Sequence, residues 1–300
     1  MTETSKGTLS GIGAYTLWGL LPVYWKLLDT IPAIEILAHR MIWSLIFLIG
    51  LLALRNQWNW FRDFRQNFRS YLVHIASALV LSLNWFTYIW AVNNGQIVEA
   101  SLGYYINPLI NVLLGVLFLK EELRSRQWIA IGFAFLGVIY LTIQYGSTPW
   151  IALTLALSFG TYGLIRKTAP LGSLNGLTLE MLFLLIPAGI YLGTLELSNT
   201  AAFAHSGYFI TGMLLLTGIA TATPLLLFAY GARRIMLSTI GVLQYIAPTL
   251  QLIIGVFLYS EPFPKARFIG FILIWIALVI YTFDLLIVSR RARRARNAQA

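Results

Sequence analysis

The chain alternates long apolar runs with short polar interruptions, and the runs recur ten times: 9–28, 32–54, 71–92, 97–119, 126–144, 149–166, 174–195, 208–230, 236–259 and 267–288. Each comes close to the ~20 mainly apolar residues that a helix needs to cross ~30 Å of hydrocarbon. Lipid offers backbone N–H and C=O groups no water, so such runs close their hydrogen bonds internally, as helices. A membrane barrel would show short alternating strands instead, and these are absent from the sequence. The expectation is an all-α polytopic membrane protein with ten transmembrane helices.

The charges orient those helices. With the N-terminus in the cytoplasm, all 21 lysines and arginines except Lys26, Arg40, Lys265 and Arg267 fall on the cytoplasmic side. Short basic loops are held inside, so both termini are expected in the cytoplasm of a multi-pass inner-membrane protein. A missed helix would scramble that alternation. With 58% hydrophobic and 11% charged residues, the chain cannot make the polar skin of a soluble domain, which takes about 25% charged residues. The net charge of +10 sits mostly in loops and tail, so it reads as a topology signal and not as a nucleic-acid footprint. The arginines after Ser289 either anchor topology or grip anionic lipid.

An internal repeat follows from sliding the sequence on itself by 140 residues. Tyr105-Ile106-x-Pro108 then meets Tyr245-Ile246-x-Pro248, Gly115-Val116 meets Gly255-Val256, and Glu121 meets Glu261. At an offset of 141, Gly19 meets Gly160 and Lys26 meets Lys167, a weaker match. The halves are 1–145 and 146–288, with 289–300 as a basic cytoplasmic tail. Five spans is an odd number, so the two five-helix repeats enter the membrane from opposite sides. Inverted repeats are the architecture of secondary transporters, whose sites lie near the midplane where the repeats meet.

Certain stretches also resemble a known family. These are Gly19-Leu20-Leu21-Pro22-Val23-Tyr24-Trp25-Lys26, Glu35-Ile36-Leu37-Ala38-His39-Arg40, Tyr104-Tyr105-Ile106-Asn107-Pro108-Leu109, Glu121-Glu122 and Gln244-Tyr245-Ile246-Ala247-Pro248-Thr249. Over nearly its whole length the chain is similar to the RarD-type branch of EamA-domain permeases, in the drug/metabolite transporter superfamily. The resemblance implies ten helices, two EamA repeats and a central cavity open to one side at a time. It implies no particular substrate.

Ionisable groups inside spans are costly and point to function. In the second run, Glu35 and His39 share a helix face, four residues apart, and Arg40 lies about 100° further round. Arg40 is either an electrostatic anchor for an anionic substrate or a structural cation neutralised by Glu35. Glu35 and His39 are candidates for proton coupling. So is Glu180, read as an intramembrane carboxylate without a local cation. The fourth run carries a polar stripe of Tyr104, Asn107, Pro108, Asn111 and Gly115, echoed in the ninth by Gln244, Pro248, Gln251 and Gly255, and Tyr245 is a further cavity candidate. Such a stripe faces a cavity or a neighbouring helix. Pro108 and Pro248 are candidate gating kinks. Tyr15, Trp18, Asn84, Trp85 and Tyr88 either wall a pocket or pack as core.

The reading is a permease for small metabolite- or drug-like solutes, working by alternating access through a central cavity, with proton coupling as an option. Its partners are a small-molecule substrate and membrane lipid, as a monomer or weak dimer. A channel is the alternative. An enzyme is disfavoured because His39, His74 and His205 are scattered, and no Walker or HExxH motif occurs. With no cysteine, thiol chemistry is excluded, and no cofactor or metal is expected. The topology predicts that a phosphatase fused after Thr200 is active outside the cell and one fused after Asn56 is not. The reverse pattern would overturn the orientation.

Overall fold

A computed structural model describes residues 2–56, 68–93, 97–145, 150–258 and 265–298, and among them every regular element is helical. In chain order these are α1 (Glu3–Lys26), α2 (Ala33–Leu54), α3 (Phe68–Asn93), α4 (Ile97–Leu119), α5 (Ser125–Tyr145), α6 (Trp150–Thr168), α7 (Ser173–Leu197), α8 (Tyr208–Ala232), α9 (Leu237–Leu243), α10 (Ile246–Ile253), a π-helical turn (Ile254–Leu258) and α11 (Lys265–Ala298). By length and composition, Ala33–Leu54, Tyr71–Tyr88, Ser125–Gln144, Ser173–Leu197 and Tyr208–Ala232 suffice to cross a membrane. Gly103–Leu119 and Phe268–Asp284 are shorter apolar helices. Glu261, the repeat partner of Glu121, lies outside the described residues.

One expectation needs correction. The ninth run is not one helix, for it divides between α9 and α10 at Gln244 and Tyr245. The cause is Pro248. A proline lacks the N–H that would bond the carbonyl four residues back, and its ring crowds that carbonyl. Four residues back is Gln244, where α9 stops, and its carbonyl accepts the Ala247 amide at 3.1 Å in a tighter turn. Pro108, by contrast, lies within unbroken α4, so of the two predicted kinks only the second interrupts its helix. α11 continues through the basic stretch as far as Ala298.

The helices pack in reciprocal pairs. α1 lies against α8 and α10, α3 against α6 and α7, α2 against α7 and α8, α4 against α6 and α9, and α5 against α11. Exchanging α1 with α6, α2 with α7, α3 with α8, α4 with α9 and α10, and α5 with α11 returns the same pairs. One apolar cluster joins Tyr15, Leu48, Leu81, Tyr162, Leu177 and Phe228. A second, around Ala134, Leu141, Tyr245 and Ile274, unites α5 and α11 with α4 and α9.

In lipid, apolar burial gives helices little reason to associate, so close van der Waals approach and interhelical hydrogen bonds carry more of the packing. The α2–α8 crossing shows both. A Cβ on Gly218 would stand 2.3 Å from the Trp43 carbonyl, and Ser44 Oγ donates to the Gly218 carbonyl at 3.2 Å. Gly218→Ala is therefore expected to destabilise the detergent-solubilised protein by about 1–3 kcal/mol. Gly50, with nothing within 4 Å of its Cβ position, should tolerate alanine without loss. Thermal unfolding of both variants checks the ranking.

Candidate functional site

At the seam between the first five helices and the rest lies a cavity of about 350 Å³. α1 contributes Tyr15, Trp18, Leu21, Pro22 and Trp25, residues three or four apart that share one helix face. α2 adds Ala33, Ile36 and Arg40; α3 adds Asn84, Trp85 and Tyr88; α4 adds Tyr104. The far wall is Phe159 of α6, Thr221 and Leu225 of α8, Gln244 at the break, and Ala247, Pro248 and Gln251 of α10.

Pro22 and Gln251 show how the wall is held. Pro22 cannot bond the Trp18 carbonyl, four residues back, and Gln251 Nε2 donates to that carbonyl at 3.2 Å. One side chain thus satisfies an orphaned backbone acceptor and ties α1 to α10. Asn84 is anchored likewise, its amide donating to the Leu155 carbonyl at 2.9 Å and Ser158 Oγ at 3.0 Å.

Arg40 is the charged residue of the lining. Its Nε donates to Thr221 Oγ1 at 2.9 Å. The guanidinium carbon lies 4.9 Å from the centre of the Trp25 ring and 5.0 Å from that of Trp85, within the range of a cation–π contact. Among the described residues no carboxylate forms an ion pair with it. Glu35 does not neutralise it: Glu35 is buried, and its Oε1 accepts the Ala202 amide at 2.7 Å, pinning the α7–α8 connection to α2. The structural alternative for Arg40 is corrected accordingly.

His39 does not line the cavity. Its Nδ1 accepts from Trp43 Nε1 at 3.1 Å, and its ring lies 5.2 Å from that of Phe203. The Nδ1 contact leaves the proton on Nε2, which is buried without a partner and 4.0 Å from Glu35 Oε1. Asn107, Asn111, Pro108 and Tyr245 also stand away from the cavity. Asn111 donates to Asn107 Oδ1 at 3.0 Å and to Gln244 Oε1 at 3.1 Å, and the Asn107 amide donates to the Ala156 carbonyl. Tyr245 donates to the Tyr105 carbonyl at 3.2 Å. This half of the polar stripe binds helices together, and Gln244 joins it to the cavity.

Glu180 departs furthest from expectation, because it has a cation beside it. Arg166, the last residue of the sixth run, is fully buried on the last turn of α6. Its Nη1 donates to Glu180 Oε1 at 3.1 Å and its Nη2 to the Ser173 carbonyl at 2.9 Å. Tyr162 donates to Glu180 Oε2 at 3.2 Å, and His74 Nδ1 lies 3.3 Å from Oε1. Tyr162 and Arg166 stand four residues apart, the one sequence signal that could have exposed this cluster. Thr221, also unforeseen, sits in an apolar run with no such signal. At the same end of α6, where Lys167 Nζ lies 3.8 Å from its Oε1, Glu121 caps α9: its carboxylate accepts the Ser238 amide at 3.0 Å and Ser238 Oγ at 2.7 Å, and also the Leu237 amide.

Helices throughout the described residues, several of them apolar and of membrane length, around a largely apolar cavity that holds one arginine, define a multi-pass membrane protein of the transport class. The EamA-like transporter family model matches residues 5–143. The chain is 47% identical to protein RarD of Streptomyces exfoliatus over 99% of its own length and 95% of that protein's. It is 50% identical to the uncharacterized transporter YojE of Bacillus subtilis (94% and 95%) and 40% identical to protein RarD of Escherichia coli (97% and 99%). A solved crystal structure shares the fold with a TM-score of 0.68 at 20% identity, covering 92% of this chain and 97% of its own. The chain belongs to the EamA-like transporters of RarD type, a family of transporters and not of enzymes.

The Arg166–Glu180 pair sets a stability test. Removing one partner of a buried ion pair strands the other, at about 3–5 kcal/mol. Arg166→Met and Glu180→Leu are each expected to destabilise the protein to that degree, and the double variant to recover much of the loss. Additive losses in a denaturant double-mutant cycle would show the pair to be uncoupled.

Proposed function

We propose that the chain is a secondary transporter that moves small metabolite- or drug-like solutes across the inner membrane by alternating access, with the seam cavity as its binding site. In this reading ten spans form two inverted five-helix repeats, 1–145 and 146–288, with both termini and the basic stretch 289–300 in the cytoplasm. The reciprocal helix pairing and the 140-residue repeat support the two halves. The observation that carries the proposal is the cavity, walled by both halves and holding a cation with no counter-charge among the described residues.

The direction of the opening follows from the same topology. The lining comes from the last turns of α1, the first of α2, the later half of α3 and the first half of α4, all of which point outward in this orientation. The cytoplasmic side is fastened. Glu121 holds the start of α9, Lys167 Nζ donates to the Ala232 carbonyl at 3.1 Å and also to that of Ile235, and Arg233 donates to the Leu171 carbonyl at 3.0 Å. These contacts support an outward-facing state with a closed inner gate. Tyr15, Trp18, Arg40, Asn84, Trp85, Tyr88, Tyr104, Gln244 and Gln251 would meet the solute. We assign proton coupling, if the carrier uses it, to Glu35 and His39 and not to Glu180, whose oxygens are already engaged. One chain supplies the whole site, so a monomer suffices.

Ala247→Cys places a thiol on the cavity wall of a chain that otherwise has none. Alternating access predicts labelling by an impermeant maleimide in right-side-out vesicles and, more slowly, in inside-out vesicles. Labelling from the outside alone would reject it. Saturable flux in proteoliposomes, accelerated by unlabelled solute on the far side, separates a carrier from a pore.

A further inference from the structure

The charge balance of the cavity narrows its cargo. Arg40 carries the one formal charge among the described lining residues. The nearest carboxylate in sequence, Glu35, is spent on the Ala202 amide and lies outside the lining. Among the described residues, only Nε of the guanidinium is hydrogen-bonded, to Thr221. Its Nη groups, with no protein partner among the described residues, are free to bond a ligand. A cation at membrane depth costs several kcal/mol when unpaired, and here the protein supplies indole faces but no anion.

The surroundings select the rest of the ligand. Trp25 and Trp85 hold the guanidinium, and Tyr88 and Tyr104, 5.9 Å apart in an edge-to-face pair, stand beside it on the wall. Trp18 and Phe159 make a second edge-to-face pair at 5.8 Å. Aromatic walls favour a flat apolar body, and 350 Å³ lies at the small end of ligand cavities, which run from about 300 to 1,000 Å³.

From these observations we infer that the cargo is a flat monoanion: a body of one or two aromatic rings bearing one carboxylate, which pairs with Arg40 through its Nη donors. The inference rests on the carrier reading above. Each alternative leaves a charge unmatched. A dianion adds a second negative charge with no cation to meet it. An amine meets Arg40 as a like charge. A zwitterionic amino acid brings an ammonium that no lining carboxylate receives, while Arg40 already occupies the indole faces that would otherwise attract it.

Indole-3-acetate, tryptophan, tryptamine and indole share one ring system and differ in charge. The test is binding of radiolabelled indole-3-acetate to the purified full-length chain, with the other three as competitors, followed by counterflow in proteoliposomes. Indole-3-acetate should bind, and each competitor should be at least about tenfold weaker, the discrimination expected of a charge-assisted bidentate contact. Arg40→Gln should lose that binding, and Arg40→Lys should keep part of it, with the thermal unfolding of each variant confirming that it folds. Tryptophan or tryptamine competing as well as the acid, equal binding in Arg40→Gln, or no binding of indole-3-acetate overturns the assignment. Binding without counterflow would instead reject the carrier reading and leave the ligand class standing. Counterflow of tryptophan but not of the acid would do the opposite.

Discussion

Lipid gives a polar group nothing to bond to, so each amide, hydroxyl or charge placed within these helices must meet another helix or open onto water. That constraint sorts the interior. Asn107, Asn111 and the side chain of Gln244 bond to one another across α4 and the α9–α10 break, and Asn84 ties α3 to α6. Gln251 restores the acceptor that Pro22 leaves unpaired in α1. The same amides therefore shape the cavity and join the helices around it, and wall and scaffold are not separable parts. The glycine at the α2–α8 crossing serves the same constraint by bringing two backbones close enough for Ser44 to reach a carbonyl.

The buried charges obey it in two different ways. Arg166 and Glu180 neutralise each other, and Tyr162 and the Ser173 carbonyl take up further donors and acceptors. Such a pair fixes one arrangement of α6 and α7, and its desolvation is offset inside the protein. Arg40 is offset only in part, by two rings and a hydroxyl. The contrast between a cation with an internal partner and one without is what distinguishes the scaffold of this molecule from its site.

Much of this was legible in the sequence because lipid punishes mistakes in pattern. Apolar runs mapped onto helices, and Tyr15, Trp18, Arg40, Asn84, Trp85, Tyr88, Tyr104, Gln244 and Gln251, singled out as polar or aromatic residues at membrane depth, lie around one cavity, together with Pro248, singled out as a kink. What a single chain could not show was partnership across large separations. Asn107 and Asn111 share a stripe with Tyr104, yet one turn along the helix separates facing a hollow from facing Gln244. Arg166 counted simply as a cytoplasmic charge because its run ends there, and its partner is supplied by the next helix. Glu35 and Arg40 are close in sequence, but the amide of Ala202, far along the chain, takes the carboxylate first. Thr221 left no mark, since a hydroxyl in an apolar helix ordinarily bonds its own backbone.

The unequal fate of Pro108 and Pro248 bears on the carrier reading itself. Both prolines delete the same backbone bond, so local chemistry alone would break both helices. α4 nevertheless runs through Pro108, while α9 ends four residues before Pro248. The surroundings of the two differ. The carbonyl of Pro108 lies 2.8 Å from the Cβ position of Gly241, so α9 packs directly on the α4 proline turn, whereas Pro248 lines the cavity and its turn packs on α1, where a Cβ on Gly19 would stand 3.2 Å from the Ala247 carbonyl. In the carrier proposed above, two inverted halves built on one pattern must differ somewhere in any state open to one side, since identical halves would make the two sides equivalent, and the unequal prolines are such a difference.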